Sequence, residues 1–201
     1  MRLQEVLIRR FEHEDFASNT YAVLSHLSNE AWLIDAGSVD QVLNAFSGIR
    51  KIDGLFLTHY HYDHIFGIGK LVLAYPECII YASSHTIEGL SDPKMNLSFY
   101  HNVPIQFGSL MTKVIKDFDK ISIFDSIHAE VFSTPGHNPG CLTFKIGNFI
   151  FTGDSYIPGY DVVTRLPGGN KQESQISLQR IFQLMEEETI ICPGHGNMLK
   201  S

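Results

Sequence analysis

The feature that most constrains this chain is the hexapeptide His59-Tyr60-His61-Tyr62-Asp63-His64, which directly follows the apolar run Gly54-Leu55-Phe56-Leu57-Thr58. Three imidazoles and a carboxylate within six positions are a poor choice for stability alone, because the rings crowd and repel once protonated. Neutral imidazoles and carboxylates bind borderline divalent cations at about 2.0–2.2 Å, and a tight loop supplies several such bonds if its side chains fan out alternately. On that logic His59 and His61 point to one cation, and Asp63 and His64 to a second. The fold has to hold this loop at the end of a strand, with further ligands arriving from elsewhere.

Three later positions meet that need. His137 ends Thr134-Pro135-Gly136-His137, Asp154 ends Phe151-Thr152-Gly153-Asp154, and His195 stands in Pro193-Gly194-His195-Gly196. Each follows a predicted strand, in a turn where glycine permits sharp bends and close backbone approach. Any one of them alone reads equally well as a polar turn residue; with the hexapeptide they complete two coordination shells. Hydrophobic periodicity predicts strands over 3–10, 21–27, 31–35, 54–58, 79–82, 127–133, 141–146, 149–152 and 189–192. It predicts helices over 38–46 (followed by Gly48), 65–75, 85–90 and 172–187, the third capped by Ser83 or Ser84. Residues 91–125 give weak, irregular signals. Strand clusters in both halves with helices between them imply an α+β protein, two sheets packed face to face and covered outside by helices.

Composition narrows the function. The 201 residues are 44% hydrophobic and carry a net charge of −7, which fits a single domain over 1–201. Without a basic cluster there is no electrostatic footprint for nucleic acid or an anionic membrane, so a small-molecule substrate is expected. The three cysteines, odd in number and never in a C-x-x-C arrangement, suggest neither disulfides nor a zinc knuckle and fit a reducing compartment. The N-terminal stretch lacks the apolar core of a signal peptide, and no window reaches the ~18 apolar residues of a membrane span, so the expected location is cytoplasmic. Oligomeric state is open.

In order along the chain, Leu33-Ile34-Asp35-Ala36-Gly37, Thr58 to His64, Thr134-Pro135-Gly136-His137, Thr152-Gly153-Asp154 and Pro193-Gly194-His195-Gly196 resemble the five-part pattern of the metallo-β-lactamase superfamily. The resemblance implies a four-layer αββα sandwich with the site at the edge where the sheets open. It implies that His59, His61 and His137 hold one metal, Asp63, His64 and His195 the other, and that Asp154 bridges them. Zinc is the expected metal, with iron or manganese as alternatives. Asp35 resembles the family's early Asp, which braces the ligand loop by hydrogen bonds.

Two cations sharing a water would present a bridging hydroxide as nucleophile, with Asp63 and Asp154 orienting it and Asp63 accepting a proton. Thr164-Arg165-Leu166-Pro167-Gly168-Gly169 resembles the T-D-L-P-G-G segment of small glyoxalase II-like hydrolases, departing from it at Arg165. Full-length glyoxalase II carries a C-terminal helical domain that helps bind glutathione, whereas this chain ends six residues after His195. The expected substrate is therefore a thioester or another activated ester, without a commitment to glutathione. Tyr156 is a candidate donor to an oxyanion, much as lactonases of the superfamily use a nearby tyrosine; its bland alternative is a packed aromatic. Arg165 is a candidate for binding a substrate carboxylate through its planar fork, or else an ordinary surface arginine. His13, His26, His85, His101 and His128 match no ligand motif. The rival readings are a lactonase, a mononuclear iron enzyme like the persulfide dioxygenases, whose ligands are a subset of these, and a non-catalytic metal-binding module.

Overall fold

The computed structural model describes residues 6–26, 28–46, 51–125 and 127–200. Leu27, Gly48 and the start of the predicted strand over 3–10 lie outside them. The first sheet holds β1 (Val6–Glu12), β2 (Asn19–Ser25), β3 (Glu30–Ile34), β4 (Lys51–Phe56), β5 (Ile79–Ala82) and β6 (Thr112–Val114), side by side in that order. It is antiparallel from β1 to β3 and parallel from β3 to β6. The second sheet holds β7 (Lys120–Phe124), β8 (Ile127–Ser133), β9 (Leu142–Ile146), β10 (Phe149–Gly153), β11 (Ile190–Pro193) and β12 (Leu199–Lys200), again in chain order, with only β10 and β11 parallel.

The alternation of side chains along each strand explains the layering. On β2, Tyr21 and Val23 face the second sheet while Ala22 and Leu24 face outward; on β3, Trp32 and Ile34 oppose Ala31 and Leu33. Both sets are apolar, so the first sheet is covered on both faces, as continuous apolar runs require. Its outer face packs against Val39 and Val42 of α1 (Val39–Ala45) and Ile68 and Leu71 of α3 (Ile68–Ala74). Between the sheets Trp32 stacks on Phe56, which meets Phe144 from the other side with ring centroids 5.0 Å apart. The outer face of the second sheet carries α5 (Lys171–Gln183), whose first turn is capped by the Asn170 side chain accepting from Gln172 N and Glu173 N. The expected αββα sandwich is the fold observed.

Several local expectations need correction. The single helix predicted over 65–75 is two helices, α2 (Tyr62–Ile65) and α3, broken at Phe66-Gly67. Packing breaks it: Gly67 N donates to Ala36 O at 2.6 Å, and a Cβ at Gly67 would lie 2.6 Å from Ala36 O and from Val39. The short helix α4 (Ser84–Gly89) is capped by Ser83, whose hydroxyl accepts from Thr86 N. The irregular 91–125 segment contributes β6 and β7 at the sheet edges, where β6 is wholly exposed and carries no alternation to read. β12 is likewise exposed and too short to announce itself. The last helix stops at Gln183 rather than Glu187, because Leu184 N and Met185 N turn back to the carbonyls of Ile181 and Phe182, and Glu186 N to the Thr189 hydroxyl.

The Gly67 contact gives a direct test. Gly67→Ala is expected to cost about 1–3 kcal/mol through overpacking, lowering Tm by roughly 2–10 °C for a domain of this size. An unchanged melting curve would mean that the α2–α3 break does not depend on this close approach.

Candidate metal centre

The chain's parallel strand pairs explain why ligands distant in sequence meet. Asp35 follows β3 and Thr58-His59 follow β4, parallel neighbours in one sheet; Asp154 follows β10 and His195 follows β11, parallel neighbours in the other. Their C-terminal ends lie at the same edge of the sandwich, the usual place for a site in a sheet with parallel strands. His137 joins them after β8. Asp63 and His64 sit in α2, which is tied down at both ends of its turn: Ser18 Oγ donates to Asp63 O at 2.8 Å, and Ala36 N to His64 O at 2.8 Å.

All seven sequence-predicted ligands come together. Donor atoms of His59, His61 and His137 lie within 4.8 Å of one another, and so do those of Asp63, His64 and His195. Asp154 stands between the two sets: Oδ1 is 3.5 Å from His64 Nε2, while Oδ2 is 3.5 Å from His137 Nε2 and 3.6 Å from His195 Nε2.

Hydrogen bonds behind the rings fix which nitrogen faces the cluster. Carbonyl oxygens only accept, so His137 Nδ1 donates to Val163 O at 2.7 Å and His195 Nδ1 to Ala17 O at 3.0 Å. Asp35 accepts from His64 Nδ1 at 2.9 Å, from Thr58 N at 2.8 Å and from the Thr58 hydroxyl at 2.8 Å. With its proton given to Asp35, Thr58 Oγ1 accepts from His59 Nδ1 at 3.0 Å. Each of these four rings therefore spends its Nδ1 proton behind it and turns Nε2 toward the cluster. His61 is turned the other way, with Nδ1 2.8 Å from His137 Nε2.

This arrangement fits divalent cations on the structure's own terms. His64 Nε2 and His195 Nε2 face each other at 3.4 Å, and His59 Nε2 and Asp154 Oδ1 are buried without any hydrogen-bond partner. Buried groups are left this way only where something else satisfies them. Electrostatics agree. Burial, reinforced by the neighbouring rings, pulls His59 well below the usual histidine range and His61 down to about 3, so both are neutral donors. Burial opposes charge on Asp154 and Asp63 too, but the His64 side chain beside each outweighs it and holds both carboxylates ionised. Burial likewise works against charge on His64, and there Asp63, Asp154 and Asp35 prevail and favour positive charge at that place. The neutral imidazoles of His59 and His61 and the ionised carboxylates of Asp63 and Asp154 are the forms that metal binding requires, and the positive charge favoured at His64 marks where a cation would sit among three carboxylates.

The other sequence candidates fall around this centre. Asp35 braces it as described, in a left-handed backbone conformation with φ 57°. Tyr156 packs its ring edge-on against Phe182 of α5, 5.2 Å between centroids, and its own carbonyl accepts from Thr152 Oγ1. Arg165 is exposed, two residues beyond Val163, whose carbonyl holds His137. Tyr60 is buried behind the ligand loop against Gly89. Cys78, Cys141 and Cys192 are buried free thiols, and burial raises all three, Cys78 and Cys141 to about 12. Sequence reasoning passed over Thr58, Asn19 and the carbonyls of Ala17 and Val163. A polar residue opening an apolar strand was a readable signal for Asn19; a main-chain carbonyl leaves none.

Two outcomes follow from this geometry. Asp35→Asn places an amide donor where Asp35 accepts from His64 and Thr58, driving His64 toward the tautomer that blocks its metal-facing nitrogen. Chelator competition is expected to report metal affinity reduced by about 10–100-fold with an unchanged circular dichroism spectrum; unaltered affinity would remove Asp35 from this role. A thiol reagent at pH 8 is expected to label none of the three cysteines until the protein is unfolded; rapid labelling of the native protein would contradict their burial.

Comparison with known proteins places these features in context. The family model described as the metallo-β-lactamase superfamily matches residues 13–195. A hydroxyacylglutathione hydrolase of Citrobacter koseri is 27% identical over 181 residues, covering 90% of this chain and 62% of that protein. The chain thus spans about three fifths of that relative's length. The B3 metallo-β-lactamase BLEG-1 superposes with a TM-score of 0.86 at 23% identity, covering 96% of this chain and 94% of the other. TTHA1623, solved in a di-iron-bound form, superposes with a TM-score of 0.80 at 24% identity, with the same coverage.

Proposed function

The chain belongs to the metallo-β-lactamase superfamily, and from that premise we propose that it is a dinuclear metal-dependent hydrolase of a small-molecule thioester or activated ester. The observation that carries this reading is Asp154 standing between two ligand sets, one of three imidazoles and one of Asp63, His64 and His195. Divalent cations held there would acidify water and polarise the substrate carbonyl.

The chain's own residues do the rest. His59, His61, His64 and His137 are almost completely buried, whereas the side chain of His195 is 27% exposed and that of Asp63 15%. Substrate therefore approaches over the His195 side of the centre, and Asp63, beside His195, is the carboxylate assigned to take up a proton as the leaving group departs. The tautomers fixed by Asp35, Thr58 and the two carbonyls keep the donor atoms in place without reorganisation. The hydroxyacylglutathione hydrolase relative supports a thioester; because the chain covers only part of that protein, the glutathione portion of such a substrate is not carried over. The ligand set admits zinc, iron or manganese, and zinc is the metal we propose.

Metal content of protein purified without added metal or chelator tests the reading. Near two equivalents of zinc, or a mixed pair, with turnover in a thioester and lactone panel, is the expected result; a single equivalent of iron with oxygen uptake would replace it by oxygen chemistry. Asp63→Asn is expected to lower kcat by about 10²-fold or more in protein that still holds both metals. Full activity in that variant would end the proton-accepting role.

A further inference from the structure

The loop that carries His195 is held from the opposite sheet by one buried amide. Asn19, fully buried at the start of β2, donates through its backbone N to Gly194 O at 2.7 Å, and through Nδ2 to Pro193 O at 2.9 Å and Gly196 O at 2.8 Å. Three of the four carbonyls in the Pro193–Gly196 turn thus end on a single residue of the first sheet. Two neighbours complete the arrangement. The Tyr21 hydroxyl donates to Pro193 O at 2.7 Å, and Arg10 Nη1 donates to Gly196 O at 2.5 Å and to Asn19 Oδ1 at 3.3 Å. Ser18 also forms an isolated bridge with His195 itself.

The turn has little tolerance for displacement. Gly194 N donates to Gly153 O at 2.8 Å, and a Cβ at Gly194 would lie 2.1 Å from Asp154 Oδ1 and 3.0 Å from His64 Cε1. His195 is the most exposed of the five ligand histidines, and beyond its turn the second sheet offers only the two-residue β12. Its own sheet supplies the bond from Gly194 N to Gly153 O, and the turn's carbonyls are held from the first sheet by Asn19 at the start of β2.

We infer that Asn19, aided by Tyr21 and Arg10, is the positioning residue that sets the affinity of the Asp63–His64–His195 set for its cation, leaving the three-histidine set unaffected. It acts through His195 and touches no reacting atom. A misplaced ligand weakens binding at its own site, and partners behind metal ligands are typically worth 10–100-fold in affinity. The inference rests on the two-cation reading of the site, and the experiment separates the two.

Zinc alone is titrated at buffered free concentrations into metal-depleted protein, with bound equivalents measured by atomic emission and His195→Ala as the reference for loss of the second set. If the unaltered protein binds only one equivalent, the two-cation reading fails and this inference falls with it. If it binds two, Asn19→Asp, which keeps the size but removes the Nδ2 donors, is expected to bind the first equivalent normally and the second about 10–100-fold more weakly. Two equivalents at unaltered affinity, or equal weakening of both, would overturn the inference while the two-cation reading stands. Should Asn19→Asp fail to fold, Tyr21→Phe removes one donor to Pro193 O from the same assembly. It is expected to weaken only the second equivalent, and no selective change would overturn the inference equally.

Discussion

Much of this molecule turns on the carboxylate of Asp35. It sits at the end of β3 in a left-handed conformation that only a short polar side chain adopts at modest cost. From there it accepts from the backbone of Thr58, from the Thr58 hydroxyl and from His64. The first of these bonds joins the ends of two parallel strands. The second passes through Thr58 to fix the tautomer of His59, and the third does the same for His64. One buried anion thereby organises a ligand from each half of the centre, and Asp35 N, donating to Phe56 O at 2.8 Å, closes the arrangement against β4. A neutral residue of the same shape would fill the space without dictating where the ring protons go.

The convergence of these side chains was legible in the sequence because few structural roles call for so many imidazoles and carboxylates beside glycine turns. His59, His61, Asp63, His64, His137, Asp154 and His195 could be placed together without coordinates, as could two sheets covered by helices, from the strand clusters in both halves of the chain. Tertiary packing decided what could not be read. The helix break at Phe66-Gly67 comes from the approach of Ala36 and Val39, more than twenty residues earlier in the chain. β6 and β12 are edge strands with exposed side chains, so they carry no alternation. Val163 and Ala17 hold their histidines through main-chain carbonyls, a role any residue type can fill. Tyr156 illustrates the converse: its proximity in sequence to Asp154 suggests a pocket residue, while its ring lies against Phe182.

The two ligand sets differ in more than composition. The three-histidine set is enclosed; the other combines Asp63, the shared Asp154 and a His64 whose positive charge is favoured by Asp63, Asp154 and Asp35. The carboxylates lie toward the side where His195 and Asp63 retain some solvent contact. A centre built in this way separates enclosure from access within a few ångströms, using sheet geometry for the first and loops for the second.

The ligands also span residues 59 to 195 and draw on both sheets. Ions that bind only when all of them have converged act as removable cross-links over that span, and they favour the folded chain by mass action. Their release would first loosen the open edge of the sandwich, where α2 and the Pro193–Gly196 turn meet, and leave the interior around Phe56 and Phe144 intact. Local opening of this kind lies at the low end of a protein's range of unfolding energies. With ions held there, the lifetime of the native chain would depend on metal supply as well as on its apolar core.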